Sequence, residues 1–325
     1  MKHNEKCDVI LEMLKKEKDF VTGSLIAEVL HTSRVTVSNS VKILVQEGYE
    51  ILSVTNRGYK LISSPDVITA VDLSEYLKRD TTDDITCLSV TASTNDYLKK
   101  LAFYGAREGS VVVASEQTAG KGRLGKSFFS PKDSGIYMSY LYRPEAILSE
   151  LSTLTGRVAV AVIKAIKTVC SIDVSVKWVN DLILNGKKIC GILTELSIFG
   201  ETMNAEYAIV GIGINVNNDK SEFDGELSKI ATSLYAESGN KFDRNRLVAE
   251  IINNLDELFE VSVADSIEFY RSKCINIGKE VSFTYNGCLM SGVVLAIDDS
   301  FGLLVKVGDN VLTLSSGEVS IKNID

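Results

Sequence analysis

Apolar residues fall at helical spacing three times before residue 47. Val9, Ile10, Met13 and Leu14 share a face within residues 5–17. Leu25, Ile26 and Val29 do so between Ser24 and Leu30, and Val37, Val41, Leu44 and Val45 between Arg34 and Gln46. Gly48 follows as a helix-ending residue. Two alternating runs, Ile51–Val54 and Tyr59–Ile62, flank Thr55-Asn56-Arg57-Gly58, which predicts a hairpin. Three helices and a hairpin predict a winged helix-turn-helix. Ser63 to Asp84 is polar, contains Pro65 and holds one short helical pattern, Val71–Leu77, so it reads as a linker.

Beyond it the period switches. Strand-like segments are expected at 85–90, 110–115, 136–142, 174–177, 182–184, 188–196 and 206–216, and helical ones at 94–104, 151–169, 244–261 and 265–273. Asn185-Gly186-Lys187 joins two strands as a hairpin turn. The pattern is α+β with a largely antiparallel central sheet. From Gly278 on, four alternating runs are separated by turn signals such as Asn286-Gly287 and Gly308-Asp309, as in a small SH3-like barrel. The expected division is 1–65 winged helix, 66–84 linker, 85–275 catalytic domain and 276–325 C-terminal module.

Composition narrows the classes. The chain has 325 residues with 24% charged and 45% apolar, enough for each part to bury a core. No apolar run approaches the roughly 18 residues of a membrane span, and the opening MKHNEKCDVI has no signal segment, so a cytoplasmic protein without membrane contact is expected. Six scattered cysteines without a CxxC pair read as buried free thiols. The two histidines, His3 and His31, exclude a His-ligated zinc site or a Ser-His-Asp triad in the bulk of the chain.

Charge is uneven. The whole chain carries −8, yet residues 1–65 hold nine basic and eight acidic residues. No acid occurs between Val29 and Gln46. That stretch presents Arg34, Thr36, Ser38, Asn39, Ser40 and Lys42, and the hairpin tip carries Arg57. Such groups donate to phosphates and read base edges, so this segment is the expected DNA-binding face.

Candidate chemistry gathers in the middle of the chain. Gly120-Lys121-Gly122-Arg123-Leu124-Gly125-Lys126-Ser127 matches both the dinucleotide fingerprint and the P-loop spacing. Both require a helix directly afterwards. Phe128-Phe129-Ser130-Pro131 follows instead, and Pro131 holds Ser130 extended. A cationic glycine loop that closes over a phosphate is the reading that survives. Lys177-Trp178-Val179-Asn180-Asp181 could hold a phosphate and a magnesium ion, with Lys188 brought close by the hairpin. Gly211-Ile212-Gly213-Ile214-Asn215 marks close backbone packing or the border of a nucleotide base.

These segments, in this order and with Ser93-Thr94-Asn95, Gln117-Thr118-Ala119 and Lys188-Ile189-Cys190-Gly191-Ile192-Leu193, resemble the blocks of biotin–protein ligases. With the winged helix in front, the chain is similar to the bifunctional form, ligase and biotin-operon repressor. Three positions depart from the family pattern: Lys121 stands for an arginine, Phe128 for a tryptophan and Val179 for a proline.

The resemblance implies a class II synthetase-like catalytic fold and a two-step reaction. Biotin and ATP give biotinyl-5′-AMP, and a lysine of a biotin carboxyl carrier domain then takes the biotin. It implies that Arg123, Lys188 and Asp181 are catalytic. Ser93, Thr94, Asn95, Gln117, Gly120, Lys121, Gly122, Arg123, Lys188 and Gly191 would bind biotin. Lys121, Arg123, Lys126, Lys177, Asn180 and Asn215 would bind ATP and the adenylate, and Asp181 is the candidate Mg²⁺ ligand. It further implies a homodimer on operator DNA when biotinyl-AMP is bound. Two alternatives remain at this stage. One is a non-catalytic ligand-sensing winged-helix regulator. The other is a lipoate–protein ligase, against which stands the absence of any histidine after His31.

Overall fold

In the computed structural model, which describes residues 5–17, 19–143, 148–199, 204–258 and 260–321, the chain forms two units, Met1–Glu75 and Tyr76–Asp325. The first contains α1 (Glu5–Lys16), α2 (Gly23–Val29), α3 (Arg34–Gln46), β1 (Glu50–Val54), β2 (Gly58–Ser63) and α4 (Ala70–Ser74). Each hydroxyl before α2 and α3 caps its helix: Thr22 Oγ1 accepts from Leu25 N and Ser33 Oγ from Thr36 N. Cys7, Ile10, Leu11, Leu14, Ile26, Val37, Val41 and Leu44 close the core between the helices.

The apolar spacing overstates the inward faces. Leu25 and Val29 are half exposed because seven-residue α2 packs along the edge formed by Ile26 and Ala27. Val45 is half exposed too, while Ser40, expected on the polar face of α3, is buried. Ser40 lies three residues after Val37 and four before Leu44, and so falls on the inner stripe. The stretch read as a linker is not a loose tether. Leu73 of α4 is fully buried, Thr69 caps the helix at Asp72 N, and Lys15 of α1 pairs with Asp72. The helical segment is shorter than the expected Val71–Leu77.

The second unit opens with β3 (Ile85–Leu88), α5 (Thr94–Phe103), β4 (Val111–Ala114), β5 (Gly135–Tyr142) and α6 (Leu148–Cys170). Then come β6 (Ser175–Lys177), β7 (Asp181–Leu184), β8 (Lys187–Phe199), β9 (Asn204–Asn215), α7 (Leu227–Ile230), α8 (Leu234–Ser238), α9 (Arg244–Asp256) and α10 (Val263–Lys273). One seven-stranded sheet runs in the order β3-β4-β5-β9-β8-β7-β6, antiparallel except for the β3–β4 pair. Leu98 and Ala102 of α5 pack on Val112, Leu141 and Ile209. By the strand alternation, Tyr140 and Tyr142 point the other way, where their hydroxyls donate to Asp256 and to Leu255 O of α9. The helical pattern 244–261 is shorter than expected, since α9 ends at Asp256, and the pattern 265–273 is α10, which starts at Val263 with Ser262 Oγ accepting from Asp265 N. Short α7 and α8 are absent from the sequence reading, since four and five residues are too few to show a period.

The C-terminal module is a five-stranded antiparallel sheet of β10 (Glu280–Tyr285), β11 (Cys288–Ile297), β12 (Leu303–Val307), β13 (Asn310–Leu314) and β14 (Val319–Ile321). Its Asn286-Gly287 turn and the Asn185-Gly186 turn both hold two left-handed residues, as two-residue hairpins require. Phe301, between β11 and β12, plugs into the neighbouring helices. Its ring meets Tyr270 edge-on at 5.1 Å, and it lies so close to Gly156 of α6 that a Cβ there would overlap the ring. Its carbonyl accepts the indole N–H of Trp178 at 2.7 Å.

Among the described residues no helix is long and apolar enough to cross a membrane. All six cysteines are free; of the six expected buried, Cys7, Cys170 and Cys190 are, Cys87 and Cys274 are half-buried, and Cys288 is exposed at the start of β11.

Candidate active site and nucleic-acid face

An open cleft lies on the α5 side of the sheet. Its floor is β8 and β9, where Gly211 and Gly213 leave room for neighbours. A Cβ on Gly211 would strike the Asn95 amide, and one on Gly213 the Phe128 ring. The GxG pattern therefore marks side chains pressed onto bare backbone. Its roof is the glycine loop. The loop closes on itself through Gly122 N–H to Lys126 O at 2.7 Å and Phe128 N–H to Gly120 O at 2.9 Å. Arg123–Gly125 forms one 3₁₀ turn, with Leu124 in the left-handed region and 77% exposed. No helix follows; the chain runs without helix to Pro131 and enters β5 through a turn at 132–134. The P-loop and dinucleotide readings lack their structural context.

One end of the cleft is neutral. Ser93 caps α5, placing Thr94 and Asn95 in its first turn. Gln117 Oε1 accepts from Thr94 N at 2.9 Å and lies 3.2 Å from Thr94 Oγ1, while Gln117 Nε2 donates to Ser130 Oγ. Ser139 of β5 is fully buried, with its Oγ 2.7 Å from Thr94 Oγ1 and 2.6 Å from Asn95 Oδ1.

The other end is cationic. Lys188 Nζ lies 2.6 Å from Asp181 Oδ1, across the strand pair of β7 and β8. Arg123 Nη1 donates to Asn180 Oδ1 at 3.1 Å, and Asn180 is held by Ile192 through both its amide and its backbone. Lys121 Nζ donates to Asp96 Oδ1 at 2.7 Å, a hydrogen bond that raises the ammonium above its ordinary value. Cys190, next to this cluster in sequence, is no nucleophile, because burial pushes its thiol far up.

Of the expected site residues, Ser93, Thr94, Asn95, Gln117, Lys121, Gly122, Arg123, Asn180, Lys188 and Gly191 line this cleft. Gly120 supports it by packing against Phe128 O and Ser130 Oγ. Asp181 touches it through Lys188. Three residues expected at ATP lie elsewhere. Lys126 pairs with Glu318 of the C-terminal module at 2.7 Å. Lys177 sits in β6 opposite Asp181 in register. Asn215 is 4% exposed, and its amide donates to Thr232 O at 2.9 Å, because the end of β9 is covered by the segment before α8. Sequence reasoning missed Ser139, Asp96 and Glu195. Ser139 left a signal, a lone hydroxyl in the apolar run Ile136–Tyr142. No group of three or more His, Cys, Asp or Glu side chains that could hold a metal occurs among the described residues.

In the first unit, Arg34, Asn39 and Lys42 of α3 are exposed, and Thr36 and Ser38 are half-buried. Thr36 Oγ1 lies 3.0 Å from the capping Ser33 Oγ. Arg57 stands at the wing tip, stacked 4.3 Å over Phe20 and 3.6 Å from the Asp19 carboxylate.

The geometry defines a cleft enzyme of the synthetase type preceded by a winged helix-turn-helix. The model of the biotin/lipoate A/B protein ligase family matches residues 87–215, and that of an HTH domain matches residues 8–60. The bifunctional ligase/repressor BirA of Bacillus spizizenii is 33% identical over 97% of this chain and 98% of its own. That of Escherichia coli is 27% identical over 94% of each. A biotin protein ligase from Aquifex aeolicus, solved in complex with biotin and ATP, superposes with a TM-score of 0.62 at 30% identity, covering 74% of this chain and 99% of that one. The chain belongs to the family of bifunctional biotin–protein ligases and repressors.

Proposed function

We propose that the cleft receives biotin with its ureido head at Thr94 and Gln117 and its carboxylate beside Lys188 and Arg123. ATP would lie alongside under the glycine loop. The observation that carries this is the polarity of the cleft. It has one neutral hydrogen-bonding end and one cationic end, which suits a ligand with a neutral ring at one end and an anion at the other. In the first step the biotin carboxylate attacks the α-phosphate, and pyrophosphate leaves. Lys188 and Arg123 stabilise the charge that gathers between the two anions. In the second, a carrier-domain lysine attacks the mixed anhydride, releasing AMP and forming the amide. Asp181, which pairs with Lys188, would orient that amine.

Magnesium fits this site only as a companion of the nucleotide. Asp181, with Asn180, offers the donors that suit a cation held largely by substrate phosphates, where it would neutralise phosphate charge. Incubation with ATP, Mg²⁺, biotin and a carrier domain, followed by avidin blotting, tests the reading. Failure to label the carrier lysine overturns it.

The DNA face supports repression. One winged helix with nearly balanced charge binds weakly, so we infer that two copies act on a two-fold operator. Adenylate would favour the pair by ordering the glycine loop before two chains meet.

A further inference from the structure

The turn that carries Asn180 and Asp181 is gripped from both sides. On the cleft side, three of the four polar groups of Asn180 are engaged. Its carbonyl accepts from Ile192 N at 3.0 Å, its Nδ2 donates to Ile192 O at 2.9 Å, and its Oδ1 accepts from Arg123 Nη1 at 3.1 Å. The backbone N–H of Asn180 is the fourth, and it has no partner among the described residues. On the rear side the turn meets α10 and the segment after it. Trp178 N donates to Asn276 Oδ1 at 2.8 Å, and Val179 O accepts from the Tyr270 hydroxyl at 3.1 Å. Tyr270 and Asn276 are both fully buried. Burial pushes the Tyr270 phenol far above its ordinary value, with Cys274 and Asp181 adding to this, so the hydroxyl keeps the proton that it gives to the carbonyl.

The peptide between Val179 and Asn180 is trans, so its C=O and N–H point in opposite directions. Helix α10 packs on α6, and α6 on α9, on the face of the sheet opposite α5. A Val179 carbonyl aimed at α10 therefore turns the Asn180 N–H toward the cleft, which Asn180 lines. The Tyr270 hydroxyl is the one donor that Val179 O has among the described residues. A peptide N–H fixed in this way, beside Lys188 and Arg123, is a preset donor to an oxyanion.

We propose that the Asn180 N–H is a further donor to the anions joined in adenylation, and that Tyr270 is the positioning residue that aims it. This rests on the reading that carboxylate and α-phosphate meet at the Lys188 and Arg123 end of the cleft.

Tyr270→Phe keeps the ring that meets Phe301 and removes only the hydroxyl. A second variant replaces Asn180 by its α-hydroxy acid, introduced with a chemically acylated suppressor tRNA. An ester then stands for the peptide, the side chain stays and the N–H is gone. Pyrophosphate release by the full chain is measured with biotin, ATP and Mg²⁺. The ester variant is expected to lose about 10²-fold in kcat and Tyr270→Phe about tenfold, each with both KM values within about threefold. Both changes act through one donor, so Tyr270→Phe should lower kcat by less than about twofold in the ester background. An ester variant at the wild-type kcat removes the N–H from the reaction. Tyr270→Phe at the wild-type kcat, or a loss undiminished in the ester background, overturns the positioning role. So does a lowered melting temperature with both KM values raised alike and kcat kept, which marks a purely structural role. If the wild-type chain itself releases no pyrophosphate with biotin and ATP, the reading beneath fails and the proposal falls with it.

Discussion

Lys188 Nζ and Asp181 Oδ1 stand 2.6 Å apart on adjacent strands joined by the two-residue Asn185-Gly186 turn. The short turn leaves little freedom between them, so the ammonium is held at the cationic end before any ligand arrives. Lys188→Ala is expected to cut single-turnover adenylation by roughly 10²–10³-fold, the loss typical of one donor to a developing charge. A variant that keeps half of the rate would remove Lys188 from the reaction.

Arg123 is tied to Asn180 by one hydrogen bond, beside the ties its loop makes through Lys121 to Asp96 and Lys126 to Glu318. Arg123→Gly should leave the fold intact and the roof leaky. Activated biotin would then escape and label lysines of bystander proteins. Clean labelling of the carrier alone, read by avidin blotting of a mixed protein sample, would place the anchor at Lys121 and Asp96 instead.

Removing residues 1–75 should preserve biotin transfer and abolish DNA retention, since those residues form a unit with its own core. Within the full chain, Arg34→Ala or Lys42→Ala should weaken all DNA sites alike and lower the salt slope by about one. Arg57→Ala should do less, because Asp19 already offsets part of that charge. Filter binding at several salt concentrations measures all three. Operator retention by the truncated chain would exclude this DNA face.

Glu237 gives a pH dependence. Thr232 Oγ1 and Asn185 Nδ2 donate to its carboxylate and hold it below its ordinary value. Its contribution is therefore present above the unfolded value of 4.5 and is lost as pH falls through the lower folded value. The bonds join the Lys188 turn to the segment before α8, so acid should loosen that turn first. Hydrogen exchange at Lys188 and Thr232 should rise below about pH 4.5 and lose this dependence in Glu237→Gln. Identical profiles in both proteins would show that the turn is held by other groups.

A non-hydrolysable biotinyl-AMP analogue should raise the self-association constant, by a coupling of roughly 1–3 kcal/mol. Sedimentation with and without the analogue reads this, and an unchanged constant defeats the ligand-switched dimer.

Much of this was legible in the sequence because turn chemistry and period are local. Asn185-Gly186, Asn286-Gly287 and the alternation of residues 136–142 each state their own geometry. The winged helix followed from three apolar stripes, although the stripes alone placed Leu25, Val29 and Val45 inside and Ser40 outside. What stayed hidden depends on distant partners. Lys126 looks like a phosphate ligand beside three glycines, and only the fold brings Glu318 to it. Asn215 looks like a strand-end ligand until Thr232 covers it. Glu195 is one acid among many until Asn95, a hundred residues earlier, lies against it.

The seat of Phe301 has a consequence for how the protein is made. The Trp178 indole that precedes Asn180 and Asp181 gives its N–H to the Phe301 carbonyl, and Gly156 lies beneath the same ring. The ribosome delivers Phe301 more than a hundred residues after Trp178. Until then the turn bearing the cationic end of the cleft lacks its buttress. The nascent chain therefore completes the core of its winged helix long before it completes its catalytic centre.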